Sequence, residues 1–401
     1  MTMASRRIAD RALQMCAVRS ASTVRQSCQL RRTASCADNP SRGRLRLGHS
    51  MLILLLAFQT ALAEPTDPDP FAFFRPSFVV SADDRRQLDA GHSLARALPA
   101  RNHEVAILAA VPVDIDGDRL VAWMRNVAEL KKSSYVLAIQ RFSDPPRIED
   151  LVGLTLDDDD LSAIRQCRPA ACDLKLAGAE MSQLQSVLAV GGSQGRRAFH
   201  DAFRRVILRR VQAYLDNGHD ASSNDEDRDP PVSPAAISSL LLQHSAFLSE
   251  HLPRFARYLD RYPHAPVQGV ESFVYWSKER LGGKAIIRVI HVSMLRGTGE
   301  GLPDALVAGK EIFTTRYLNG SVGFTAIVPG GRSSRHYLVY LNRSDVDILG
   351  GVFGGMVRWF MERRLRTEAQ DVLQGLRRRL ESGEPPPLPN RTASLRRHVH
   401  D

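Results

Sequence analysis

Ala305-Leu-Val-Ala-Gly-Lys-Glu-Ile-Phe-Thr-Thr-Arg-Tyr-Leu-Asn-Gly-Ser-Val-Gly-Phe-Thr-Ala-Ile-Val328 holds two strand-like runs, 305–318 and 321–328, around Asn319-Gly320. Asn-Gly is the dipeptide of a type I′ hairpin turn, which needs φ > 0 at both central positions. A two-residue loop there pairs Leu318 with Ser321 and fixes the register of both strands. One face then collects Glu311, Phe313, Thr315, Tyr317, Val322, Phe324, Ala326 and Val328. The other collects Lys310, Thr314, Arg316, Ser321, Gly323 and Thr325. The first face is expected to be the interior, leaving Glu311 and Tyr317 as polar groups on an apolar surface.

Working outward, further strand-like runs fall at 270–278, 285–295 and 335–341, separated by glycine-rich turns, so the final third reads as an antiparallel meander. A long helix closes it, from Ser344 as N-cap with Asp347 placed for a capping box, to about Leu380. Its first half carries Gly350, Gly351, Gly354 and Gly355. Each glycine costs a helix on the order of 1 kcal/mol relative to alanine, so four imply close approach by a sheet, a partner or a ligand.

Upstream, Ser81 caps a helix with Asp83 and Asp84 in its first turn, and Pro99 ends it. A strand is expected over 104–113. Asp116 or Asp118 then caps a short helix that turns Leu120, Val121, Met124 and Val127 inward, and a strand returns over 135–142. Residues 151–262 show helical periodicity, clearest where Phe199, Phe203, Val206, Ile207, Val211 and Leu215 mark one face. Within that segment 217–234 reads as a charged flexible loop. The fold class expected is α+β: an antiparallel sheet wrapping a long C-terminal helix, with an inserted helical segment. Residues 64–400 form one domain containing the insertion 151–262 and the meander plus helix 267–382.

Residues 1–63 stand apart. Met51 opens an apolar run preceded by Arg42, Arg44 and Arg46 and followed by Ala61-Leu-Ala63. The run is shorter than the roughly 20 residues that span a bilayer, so it reads as a removable signal peptide behind an upstream leader or a start placed too early. The chain's net charge of +10 belongs mainly to this segment, which holds ten Arg against two Asp. The remainder has 44 basic and 42 acidic residues, which removes the argument for a nucleic-acid partner. Cys16, Cys28 and Cys36 go with the leader, leaving Cys167 and Cys172 as a disulfide pair for an oxidising compartment. The chain is therefore expected to be periplasmic or secreted, with no transmembrane segment after cleavage.

Candidate chemistry is sparse. Asp114-Ile-Asp-Gly-Asp118 lacks the EF-hand glycine position and has Arg125 where the twelfth-position Glu belongs, so it reads as a turn and cap. Asp157 to Asp160 likewise reads as a first-turn acid run. Ser277 and Lys278 are adjacent on a strand and point to opposite faces, which argues against a nucleophile pair. His291, mid-strand, is a candidate base. Glu311 is the sharper candidate, because a carboxylate facing an apolar interior has a raised pKa or a specific partner. Arg288, Arg343 and Tyr317 are the candidates for that partner. Arg343 and Asp345 either anchor a polar head group or close the strand-to-helix corner. No nucleotide, hydrolase or metal motif stands in a suitable context, and no cofactor is expected.

The order of elements, with Val111-Pro-Val-Asp114 on the first strand, a short helix, a run of antiparallel strands and a long last helix, resembles the START-like helix-grip superfamily over about 104–143 and 267–382. Tyr275-Trp-Ser-Lys278, Lys310-Glu-Ile-Phe313 and Asn342-Arg-Ser344 also look like phrases of an uncharacterised family of exported bacterial proteins. The START-like resemblance implies an apolar cavity between the sheet and the last helix, and hence a binding or carrier protein for a lipid or other apolar small molecule. Trp276, Phe313, Tyr317, Phe324, Phe353, Gly354 and Met356 are expected to line it, with Glu311 or Arg343 orienting the ligand. The alternatives are a hydrolase or cyclase using Glu311 and His291 in that cavity, and an envelope interaction protein docking through its helices and basic tail.

Overall fold

The computed structural model describes residues 69–218, 222–281, 283–297, 299–330, 335–350 and 354–387. The expected leader and signal peptide, and Phe353, lie outside the described residues. Eight strands form one sheet: β1 (Leu94–Ala97), β2 (Glu104–Val113), β3 (Val136–Arg141), β4 (Glu271–Leu281), β5 (Lys284–Arg296), β6 (Ala305–Thr314), β7 (Leu318–Pro329) and β8 (His336–Val346). Their order is β1-β2-β8-β7-β6-β5-β4-β3, antiparallel throughout. Strand β2 is buried along its whole length, so it needs cover on both faces. It gets this beside β8 in the sheet, closing the chain's first long strand onto its last.

Helices supply the cover. On one face lie α2 (Gly117–Arg125), α3 (Val127–Leu130) and α10 (Gly354–Glu381). Asp116 caps α2 by accepting from the Arg119 backbone N–H at 2.9 Å. Trp123 of α2, Leu130 of α3 and Leu373 and Leu380 of α10 pack on Val111, Val292, Met294, Val307, Ile327 and Leu338. The first half of α10 sets Val357, Met361 and Leu365 against Val105, Leu318, Val346 and Leu349. This is the expected helix-grip-like α+β arrangement, and we call this side the α10 face.

The opposite, insertion face carries two further cores. Helices α4 (Asp158–Gln166), α5 (Gly178–Leu188) and α6 (Gly192–Asn217) pack on β4 to β6 through Phe199, Phe203, Ile207, Trp276, Val289 and Phe313. Helices α1 (Ala82–Asp89), α7 (Pro234–Gln243), α8 (Ala246–His251) and α9 (Pro253–Arg261) cover the rest through Leu88, Phe247, Phe255, Leu108, Phe324 and Leu341. Cys167 and Cys172 are disulfide-bonded at the end of α4.

Several expectations are corrected. Ser81 caps α1 as expected, in a capping box with Asp84, but α1 stops at Asp89 rather than running to Pro99, and Leu94–Ala97 forms the edge strand β1. Asn319-Gly320 is no turn: both residues lie inside β7, and the chain reverses at 315–317, where Tyr317 takes φ 68°. Gly320 has no positive φ; a Cβ there would lie 3.0 Å from Ile237 Cγ2, so close packing by α7 requires the glycine. Ser344 ends up within β8, Asp347 pairs with Arg228 at 2.6 Å instead of closing a capping box, and α10 begins at Gly354. The charged loop is anchored over 222–233, where Asp225 meets Arg210 at 3.2 Å and Asp227 meets Lys175 at 3.5 Å.

Candidate functional site

On the α10 face, Gly309 of β6 and Gly323 of β7 stand opposite each other in the register. Both keep accessible surface at the centre of the sheet, as do Tyr340 and Asn342 of β8, Arg288 of β5 and Glu279 of β4. A Cβ built on Gly309 would find within 4 Å only Ile290 Cγ2 and the Gly323 carbonyl oxygen. On Gly323 the nearest atoms belong to Asn342 and Tyr340. Glycine weakens a strand interior and often marks close approach by a ligand or another backbone. The paired glycines are thus the floor of a bay that the described helices leave uncovered. Its border is apolar toward Ile290, Val292 and Val307, and polar on β7 and β8, where Asn342 donates to Ser321 Oγ at 3.0 Å and Ser344 donates to Asn342 at 2.8 Å.

A chain of charges forms the remaining wall. Lys131, just after α3, donates to Glu279 at 2.7 Å and to the Tyr275 hydroxyl at 3.2 Å. Ser277 donates to the same Glu279 oxygen at 2.7 Å. Arg288 lies 3.5 Å from the other Glu279 oxygen, and its Nε donates to Glu311 at 2.5 Å. Glu311 is 2% exposed in its side chain, and its second oxygen, Oε1, is buried with no partner among the described residues.

The two carboxylates respond oppositely. Burial alone would raise the Glu279 pKa, but Lys131 and Arg288 outweigh it and hold Glu279 well below the usual range. Burial raises Glu311 by more than the Arg288 charge and hydrogen bond lower it, and the neighbouring Glu279 charge adds to the rise. Burial also raises the nearby Tyr340 hydroxyl. A fixed anion therefore sits beside a carboxyl poised to hold or accept a proton, the contrast that separates acid/base roles in a polar site.

The expected lining is not brought together. Trp276 donates to the Asp150 carbonyl on the insertion face; Phe313 packs there under Arg210; and Phe324 sits edge-on to Phe247. Tyr317 occupies the 315–317 turn, half-buried. Arg343 pairs with Glu104 at 2.5 Å, so Arg288, not Arg343 or Tyr317, is the partner of Glu311. Gly354 opens α10, and Met356 is 63% exposed. Both sheet faces are buried, so aromatic character could not tell them apart. A register shift at Val289/Ile290 also moves Phe313 off the face of Glu311.

His291 is on the insertion face too. Its Nδ1 meets the Tyr214 hydroxyl at 2.8 Å, and it is enclosed by Tyr258, Tyr262 and the buried Lys310. Glu311 and His291 therefore do not share a cavity. The bay residues that the sequence did not single out as site residues are Lys131, Glu279, Tyr340 and the glycine pair. The only signal for them was a glycine in each of two apolar runs. Among the described residues no cluster of His, Cys, Asp and Glu could hold a metal ion, and no helix is long and apolar enough to cross a membrane.

Comparison with protein-family models and with curated proteins returns no match. Among solved structures the chain is similar to the crystal structure of TTHA0849 from Thermus thermophilus, at 12% identity, covering 38% of this chain and 91% of that one, with a TM-score of 0.22. A likeness of that size carries no argument.

Proposed function

We propose that this chain is an exported binding or carrier protein for an apolar small molecule with a hydrogen-bond-donating head, seated in the Gly309/Gly323 bay. The observation that carries this reading is a glycine floor that no described helix covers, on the same sheet face as the buried, unpartnered Glu311 Oε1. A buried acceptor without a partner costs about 1–3 kcal/mol, which a hydroxyl or amide N–H of a ligand offsets. The apolar border receives the rest of the molecule. Export is supported by the apolar run ending near Ala63 and by the Cys167–Cys172 disulfide. The START-like resemblance in element order supports the choice of the space beside the last helix.

The test is native mass spectrometry of the mature protein purified from its own compartment, followed by denaturing extraction. A stoichiometric small molecule that is retained by wild type and lost by Gly309→Leu, with folding intact, supports the reading. An empty protein in every preparation, with no apolar probe displaced by Gly309→Leu, overturns it. The raised pKa of Glu311 favours one second reading, an enzyme in which Glu311 without His291 moves a proton on the bound molecule; turnover lost in Glu311→Gln with binding retained distinguishes it.

A further inference from the structure

At the end of the sheet where β2 begins, β8 ends and α7 crosses, a cleft of about 500 Å³ opens on the insertion side. That is the size of a small-molecule pocket. One wall is aliphatic, made of Ile237, Leu240 and Leu241 from α7 with Leu349. The facing wall is polar, made of Glu104, His244 and Asp345. The two carboxylates differ. Glu104 is satisfied on both oxygens, one receiving Arg343 Nη1 at 2.5 Å and the other meeting His244 Nδ1 at 2.6 Å. Asp345, 7% exposed, receives only the Asn319 side-chain amide on Oδ1. No cation lies within salt-bridge distance of it among the described residues, and the neighbouring cations Lys175 and Arg228 are engaged by Asp347. Its Oδ2 is not among the buried unpartnered atoms, so it opens on the cleft.

We propose that this cleft is a second ligand site, for a primary amine carried on an apolar body. A nearly buried carboxylate without a counter-ion is unfavourable until a cation reaches it, and an ammonium group provides charge and donors together. Glu104 cannot play that part, because Arg343 already neutralises it. The four aliphatic side chains take the body of the ligand. Arg101 stands at the rim, exposed to solvent, where its opposing charge is screened. Because the cleft lies across the sheet from the bay, this site stands whether or not the bay binds anything.

The experiment is calorimetric titration of the purified protein with n-octylamine, n-octanol and octanoate. Octylamine is expected to bind, octanol at least tenfold more weakly, and octanoate not at all. Asp345→Asn should weaken octylamine at least tenfold and leave octanol unchanged. Leu240→Trp, at a position already 38% exposed, should fill the cleft and abolish binding of both without altering the thermal midpoint. All of these titrations are made in a Gly309→Leu background, which closes the bay, so that any binding read belongs to the cleft. Octanoate binding equal to octylamine, octylamine binding indifferent to both cleft variants, or no binding of any probe overturns the proposal.

Discussion

Glu311 and His291 sit on neighbouring strands yet face opposite sides of one sheet: Ile290 pairs with Glu311, and His291 pairs with Lys310. Each group is buried in a different environment, so each makes its own prediction about how stability follows pH.

Glu311 is held above its ordinary pKa by burial. Folding then favours the protonated form, so this stability is fully present below the unfolded pKa of about 4.3 and is lost as pH rises through the folded value. Glu311→Gln keeps the shape and removes the charge. Its melting temperature should equal or exceed that of wild type at pH 8, and the difference should shrink toward pH 4. A fall in melting temperature at pH 8 would show that the ion pair with Arg288 outweighs the burial cost.

His291 and Lys310 make the opposite demand. Burial lowers His291 to about 3, with Lys310 adding to the effect, and lowers Lys310 to about 7. Unfolded histidine titrates near 6.5, so the fold must exclude a proton as pH falls below that, costing on the order of 3 kcal/mol by pH 4. For Lys310 the loss begins below about 10.4 and is complete near the folded value. Lys310→Met, which retains the bulk against Tyr214, should therefore raise the thermal midpoint at pH 6 and do so much less at pH 10. Equal shifts at both pH values would refute the lowering of Lys310 by burial.

Asn319-Gly320 shows how far local signals reach. Strong strand patterns, the cap at Ser81 and the amphipathic face of α6 were legible because each depends on residues close in sequence. The Asn-Gly dipeptide misled because its reasons are distant: the Asn319 side chain joins Lys175, Arg228 and Asp345, and Gly320 yields space to Ile237. Which face a strand residue takes was equally hidden, since alternation carries no label when helices bury both sides. The bay was out of reach for the same reason, with Lys131 and Glu279 separated by the whole of the inserted segment.

Gly320→Ala tests that reading. A left-handed turn glycine would resist any Cβ, whereas here the obstacle is Ile237 Cγ2 at 3.0 Å. The substitution should cost about 1–3 kcal/mol, as overpacking does. Ile237→Leu removes the γ2 branch and should recover most of the loss in a double-mutant cycle of denaturant midpoints. Simple additivity of the two changes would restore the turn interpretation.

Gly309 separates stability from binding. Its backbone is not left-handed, and an added Cβ would make only an ordinary contact with Ile290 at 3.5 Å. Replacing a strand glycine by alanine under those conditions lowers the entropy of the unfolded chain and should stabilise the protein by about 0.4–1 kcal/mol. If the glycine serves folding alone, its presence is a loss with nothing set against it. If it is kept for a ligand resting on the bay floor, Gly309→Ala should weaken retention of the bound molecule while raising the denaturant midpoint. Larger residues should extend the loss of binding and, once contact with Ile290 becomes a clash, reverse the gain in stability. A destabilised Gly309→Ala with binding intact would place the glycine's role in the sheet itself.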